Sequence, residues 1–147
     1  MAQPIDPTRV ISGNYGYVYD ESGRWLANVT SFNATYDYAK EDVPRAGTRR
    51  VGKKTMTIEG TGSMMFHKVS SYFIDKVLSA TANESAPFLT ELNVKLEDPE
   101  NGGTERWRIK GVQFDNAPLI NFEVGSLMEE EYNFTFDDHE LVERIEE

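Results

Sequence analysis

The sequence predicts a mainly β, antiparallel domain, either two packed sheets or a partly closed barrel, with one flanking α-helix. Three observations carry this. Residues 55–67 and 127–136 alternate polar and apolar side chains with a period of two, the mark of half-buried strands. Only residues 69–81 switch to a helical period. Clusters of Gly, Pro, Asn and Asp separate the alternating runs at hairpin spacing.

Taken in order, residues 1–12 hold two prolines and few apolar side chains, and are expected to form a flexible arm. Tyr15, Tyr17 and Tyr19 alternate with smaller residues in a short strand. Glu21-Ser22-Gly23-Arg24 is a turn, and a second strand spans 25–38, so the two are expected to pair as a hairpin. Residues 40–54 contain Pro44, Gly47 and Gly52 and read as a long loop; loops beyond about 12 residues are uncommon in compact domains and usually functional.

In the strand 55–67, Thr57, Glu59, Thr61 and Ser63 share one face. Met56, Ile58, Met64 and Phe66 share the other, which is expected to be core. Val69, Phe73 and Val77 recur at four-residue steps, with Ile74 and Leu78 beside them. They define a helix of about three turns, with Ser70 as N-cap and Asn83 and Pro87 closing it. Residues 88–96 form a strand, 98–103 a turn, and 105–114 a returning strand bearing Trp107, Ile109 and Val112. Residues 119–124 are extended. In the last strand, Tyr132, Phe134 and Phe136 oppose Glu129, Glu131, Asn133 and Thr135. Residues 137–147 read as an acidic polar tail or a short helix.

The 147 residues suit one domain spanning 1–147, and 39% apolar content supports a core. The absence of Cys excludes disulfides and thiolate chemistry. No apolar run is long enough to span a membrane, so no membrane binding is expected. The first residues lack a basic stretch followed by an apolar core, which predicts no signal peptide and a cytoplasmic origin. The net charge of −10 argues against duplex-DNA binding. That charge is uneven. From Glu123 onward there are ten acids and one base, Arg144, whereas 40–54 holds six bases (Lys40, Arg45, Arg49, Arg50, Lys53, Lys54) against two acids. Either both are solvated surfaces, or a basic loop on one subunit meets an acidic surface on its neighbour.

No catalytic, cofactor or metal constellation emerges. His67 and His139 have no carboxylate or hydroxyl at motif spacing. Alternation puts Glu130 on the opposite face from Glu129 and Glu131, unlike a calcium loop. Gly60-x-Gly62 lies inside a strand, which fits a kink or close backbone approach better than a phosphate loop.

Several segments together resemble the tail tube proteins of contractile phage tails, specifically the family of PBSX-type prophage tube proteins. They are Ile11-Ser12-Gly13 before an aromatic strand, the 40–44 stretch with its basic loop, and Gly60-Thr61-Gly62-Ser63 running into His67-Lys68-Val69. Phe114-Asp115-Asn116, Phe122-Glu123-Val124-Gly125-Ser126-Leu127 and Phe134-Thr135-Phe136 complete the set. The resemblance covers nearly the whole chain. It implies a non-enzymatic β-sandwich subunit that forms hexameric rings with a continuous inner β-barrel. Rings stack into a tube inside a sheath, and a tape-measure protein and DNA, or an effector, occupy the lumen without specific binding. It implies assembly in the host cytoplasm and residence in a virion tail, for genome ejection. Carried over by position, Thr57, Glu59, Thr61, Ser63, Glu129, Glu131 and Asn133 line the lumen. Lys40, Arg45, Arg49, Arg50, Lys53 and Lys54 lie at a subunit interface. The residues alone leave a second reading: a monomeric β-sandwich module binding sugar or peptide on aromatics such as Trp25 or Trp107.

Overall fold

In the computed structural model, which describes residues 3–79 and 88–146, the longest runs of period-two sequence become the longest strands. β1 spans Gly16–Tyr19, β2 Val29–Val43, β3 Gly52–His67, β4 Thr90–Glu97, β5 Thr104–Phe114, β6 Glu129–Phe136 and β7 Asp138–Glu143; the helix α1 spans Tyr72–Leu78. All pairings are antiparallel, in the order β1-β4-β5-β6-β3-β2, with β7 also on β5. The sheet does not close into a barrel. β1 and β2 end the order without pairing to each other.

The sheet folds over at a corner in β5. β5 pairs with β7 up to Lys110 and with β4 up to Val112, whereas Gln113 and Phe114 pair with β6. Lys110 faces Asp138 and Gln113 faces Thr135, so β6 and β7 follow β5 through the bend without losing register. Gly111 makes the bend. Its φ is +66°, and a Cβ there would lie 2.6 Å from the Asp137 carboxylate. The two halves thus face one core. Val18, Leu92, Ile109 and Val112 come from one half, and Met64, Phe66, Tyr132, Phe134 and Phe136 from the other.

Helix α1 lies against the aromatic part of that core. The Phe73 ring is 5.1 Å from those of Phe66 and Tyr132 and 5.3 Å from Phe114. Phe73, Ile74 and Val77 are buried, and Leu78 is half-buried rather than fully covered. The helix begins three residues later than the periodicity predicts, with Ser71 rather than Ser70 at the N-cap position, because Val69 turns outward and is 78% exposed. Residues 80 and 81, and the expected stop at Asn83 and Pro87, lie outside the described residues.

Three other expectations are corrected. β1 does not form a hairpin with β2. After a single bridge, Tyr19 to Trp25, and the bond from Leu26 N to Val18 O (2.8 Å), the chain crosses to the other half of the sheet. The acidic tail contains β7, a strand rather than a helix. β7 is exposed along its whole length, so it shows no alternation. Its acids face bases on β5: Glu140 lies 3.2 Å from Arg108 and 3.4 Å from Lys110, and Glu143 lies 3.6 Å from Arg106. Part of the acidic end is therefore neutralised within the chain. The N-terminal arm, finally, is tied down: Asn101 Nδ2 donates to Arg9 O (2.7 Å) and Ser12 N to Asp98 Oδ2 (2.9 Å).

The turn after β1 is organised by a buried carboxylate. Asp20 accepts from Arg24 N at 2.8 Å, Ser22 Oγ at 2.7 Å and Tyr72 Oη at 3.2 Å, with Lys76 Nζ 3.6 Å away. Burial pushes this carboxyl up, but the Ser22, Arg24 and Tyr72 bonds and the Lys76 charge outweigh it and hold it below the usual carboxylate value. Its contribution is then fully present above the unfolded value of about 4 and is lost as pH falls through the lower folded value. Asp20→Asn is expected to cost about 1–3 kcal/mol at neutral pH. The cost should shrink in acid, as thermal unfolding at pH 7 and pH 3 will show; equal losses at both would contradict it.

Candidate functional site

The face of the sheet turned away from the core is mostly polar across β2, β3 and β6, reaching the end of β5, and is interrupted by Met65, which stands between Ser31 and Glu131. Register builds it row by row. Thr61 stands between Thr35 and Thr135, Ser63 between Asn33 and Asn133, and Glu59 beside Asp37. Thr135 continues to Gln113. Asn33 Nδ2 donates to Ser63 Oγ at 2.8 Å, and Thr61 Oγ1 lies 3.4 Å from Asp37 Oδ2. All seven residues singled out on these strands, Thr57, Glu59, Thr61, Ser63, Glu129, Glu131 and Asn133, fall on this face, by the parity of their strands. Asn33, Thr35 and Asp37 of β2 join this face without having been expected there. The alternation of Phe32, Ala34 and Tyr36 against them is the signal that places them here.

The face carries Asp37, Glu59, Glu129 and Glu131, and no Lys or Arg between positions 57 and 67 or 129 and 135. His67 Nδ1 is 3.7 Å from Glu129, at the end of β3. Glu130 points the other way into the core, where it accepts from Tyr132 Oη (2.6 Å) and pairs with Lys68 Nζ (2.5 Å). Burial, and then the Glu130 carboxylate, push the Tyr132 hydroxyl well above its ordinary pKa. Glu129, Glu130 and Glu131 therefore do not converge on a cation.

Beneath the polar face, Gly60 and Gly62 let the Phe136 and Phe134 rings lie directly on the β3 backbone. A Cβ at Gly62 would sit 2.4 Å from Phe134 Cζ and 2.4 Å from Asn33 O, and one at Gly60 would sit 2.7 Å from Phe136. The glycines are thus packing residues.

Beyond these glycines the β2–β3 hairpin leaves the core and projects. The predicted 40–54 loop is mostly this arm. β2 runs to Val43 and β3 starts at Gly52, so only residues 44–51 form the turn. Lys40 is on β2, Arg45, Arg49 and Arg50 are in the turn, and Lys53 and Lys54 are on β3. Among the described residues, Lys53 alone of the six has an ion-pair partner, Asp42. Projection also explains a miss. Met56 and Ile58 share a face with Met64 and Phe66 yet are 53% and 57% exposed, next to Tyr38 at 59%, because the other half of the sheet does not extend beneath them. An apolar underside on an overhanging arm is an unpartnered surface.

A polar sheet face with no pocket chemistry and an arm that covers nothing in its own chain are features of an assembling subunit. A family model described as phage tail tube protein matches residues 3–143. The chain belongs to the phage tail tube family. Its relatives include the phage-like element PBSX protein XkdM of Bacillus subtilis (strain 168), 35% identical over 137 residues and aligned over 92% of each chain. A solved Bacillus subtilis protein is 31% identical with a TM-score of 0.52, covering 91% of this chain and 96% of its own. The same fold occurs in a chain of the sheath-tube complex of an extracellular contractile injection system, in the extended state. That chain has a TM-score of 0.71 at 11% identity, over 92% of this chain and 93% of its own. This tail tube protein is thus a structural subunit of a phage or phage-like tail, and its family is a structural one.

Proposed function

We propose that six copies of this tail tube protein form a ring, and that rings stack into the tube of a contractile tail. Each copy turns its polar face inward. Thr57, Glu59, Thr61, Ser63, Glu129, Glu131 and Asn133, with Asn33, Thr35 and Asp37, then line the lumen. The basic arm, Lys40, Arg45, Arg49, Arg50, Lys53 and Lys54, reaches a neighbouring copy. A sheath encloses the outside, while tape-measure protein and then DNA occupy the inside. Assembly takes place in the bacterial cytoplasm before the tube joins a virion tail.

The observation that carries this is the extent of the polar, anionic face, whose rows run from β2 through β3 and β6 to Gln113 at the end of β5. A monomer has no use for it, whereas a conduit does. A polyanion sliding past Lys and Arg would bind them with release of counterions; a hydroxyl-rich wall with a few carboxylates repels phosphate and holds water. Closing sheets edge to edge around a ring also removes the free β2 edge, which otherwise invites aggregation. Negative-stain microscopy of the concentrated protein tests the assembly: rings or filaments with a central hole are expected, and a species that stays at 16.7 kDa at every concentration would favour the monomeric binding module instead. The lumen assignment has its own test. Glu59→Lys with Glu131→Lys is expected to leave tubes intact and to stall delivery by particles that carry them. A density map placing both residues on the outer wall would refute it.

A further inference from the structure

Between β6 and the strand before it, residues 115–128 form a loop with an unusual surface. Leu119, Ile120, Phe122, Val124 and Leu127 are 69%, 77%, 73%, 95% and 81% exposed. Five large apolar side chains in nine residues, with Glu123 as the one charge in the loop apart from Asp115 at its start, form a patch that water does not favour. The loop is held in place. Asn116 Nδ2 donates to Glu131 O at 2.9 Å and its Oδ1 accepts from Asn133 N at 2.7 Å; at the other end, Lys68 N donates to Met128 O at 2.9 Å. A turn is closed by Ser126 N to Glu123 O at 3.1 Å.

Elsewhere the same chain has an unfilled apolar cleft of about 780 Å³, in the seam where β2 fails to meet β1 and the sheet stays open. Tyr17, Val29, Phe32, Val94, Trp107 and Phe136 are among its walls. That is room for several large side chains.

We propose that the 115–128 loop of one copy seats in the cleft of the next. The inference rests on the tube reading and names the contact that builds the ring. Within one chain the two features are kept apart. The loop is pinned to β6 at Glu131 and Asn133, whereas the cleft is walled mainly by β1, β2, β4 and β5 and includes β6 only at Phe136; β3 lies between β6 and β2. The occupant is therefore a second copy. Loop and cleft are different surfaces, so the contact is head-to-tail, the kind that closes into a ring where the rotation between copies closes, rather than stopping at a dimer. Burial of the loop removes the exposed apolar patch, and filling of the cleft completes the layer that the open seam leaves unfinished.

Because the chain contains no cysteine, paired substitutions report the contact cleanly. Phe122→Cys is placed on the loop and Tyr38→Cys on the cleft rim, where Tyr38 is 59% exposed; Val124→Cys and Thr30→Cys form a second pair. Each pair is mixed at the concentration used for microscopy and treated with a short bismaleimide. Cross-linked dimers are expected in at least one mixture and not in either component alone. No interchain product, or loop variants that cross-link to themselves as well as to cleft variants, overturns the proposal. A Leu119→Ser, Ile120→Ser, Phe122→Ser variant should keep the parent's thermal midpoint while its association weakens about tenfold or more; unchanged association also overturns it. Microscopy of the same samples judges the tube reading separately. Tubes without cross-links mean that the loop is seated elsewhere, on the sheath side for example. Cross-linked pairs that never progress to rings mean that the contact is real and the tube reading wrong.

Discussion

Phe134→Ala is expected to cost about 3–5 kcal/mol and to lower the thermal midpoint by roughly 10 °C, measured by circular dichroism. Phe134 is fully buried at the centre of an aromatic column, with ring centroids 5.7 Å from Phe32, 6.0 Å from Phe114 and 6.4 Å from Phe136. Its ring also covers Gly62. That side chain cannot be replaced from the strand side, since a Cβ at Gly62 meets the Asn33 carbonyl as closely as it meets the ring. Gly62→Ala should therefore destabilise the protein even in the Phe134→Ala background, where the ring is gone. A double variant more stable than Phe134→Ala alone would show that the strands separate more easily than this packing implies.

Replacing residues 44–51 with Asn-Gly is expected to give a folded protein that forms no tubes. Val43 and Gly52 are paired directly across the hairpin, so a two-residue turn can close it there. The removed segment is exposed apart from this pairing, and surface changes of this kind shift stability by about 0.5 kcal/mol or less. Assembly should respond differently, because Arg45, Arg49 and Arg50 leave together. A single charge pair at a rim contributes only about 0.2–1 kcal/mol and weakens with salt. The geometry of the arm thus matters more than any one base. Ile58→Asp separates the two contributions: it leaves the bases and puts a charge on the apolar underside. Loss of tubes in both variants, with midpoints unchanged, would assign the whole arm to the interface. Normal tubes from the Asn-Gly variant would remove the turn from it.

What could be read from the sequence was what repeats with a period. The polar faces of β3 and β6 were legible because Met64, Phe66, Tyr132 and Phe134 mark the opposite side. The same reading failed at Met56 and Ile58. Periodicity reports which face a residue takes, and says nothing about whether another layer lies over that face. β7 was illegible for a different reason. It is exposed, held by β5 backbone and by Arg106, Arg108 and Lys110, and carries no apolar stripe to announce it. The helix was overextended because Val69 falls in step with Phe73 by spacing alone. The β1–β2 hairpin was an error of adjacency: the turn at residues 21–24 is there, but after it only Trp25 and Leu26 bond back to β1 before the chain changes sides.

The corner at Gly111 and Asp137 bears on how a subunit transmits force. From Trp107 to Phe114, β5 keeps one register with β7 and then β6 through the corner that joins the two halves of the molecule. A push on the polar face is therefore carried by covalent backbone and by a ladder of hydrogen bonds into the other half, and not only by side chains sliding against one another. Pulled along their length, the bonds of such a ladder share the load and yield together, whereas a packed seam opens one contact at a time. Of the two joins in this molecule, the corner is the stiff one, and the seam beside β2, which no strand pairing closes, is the soft one until something fills it.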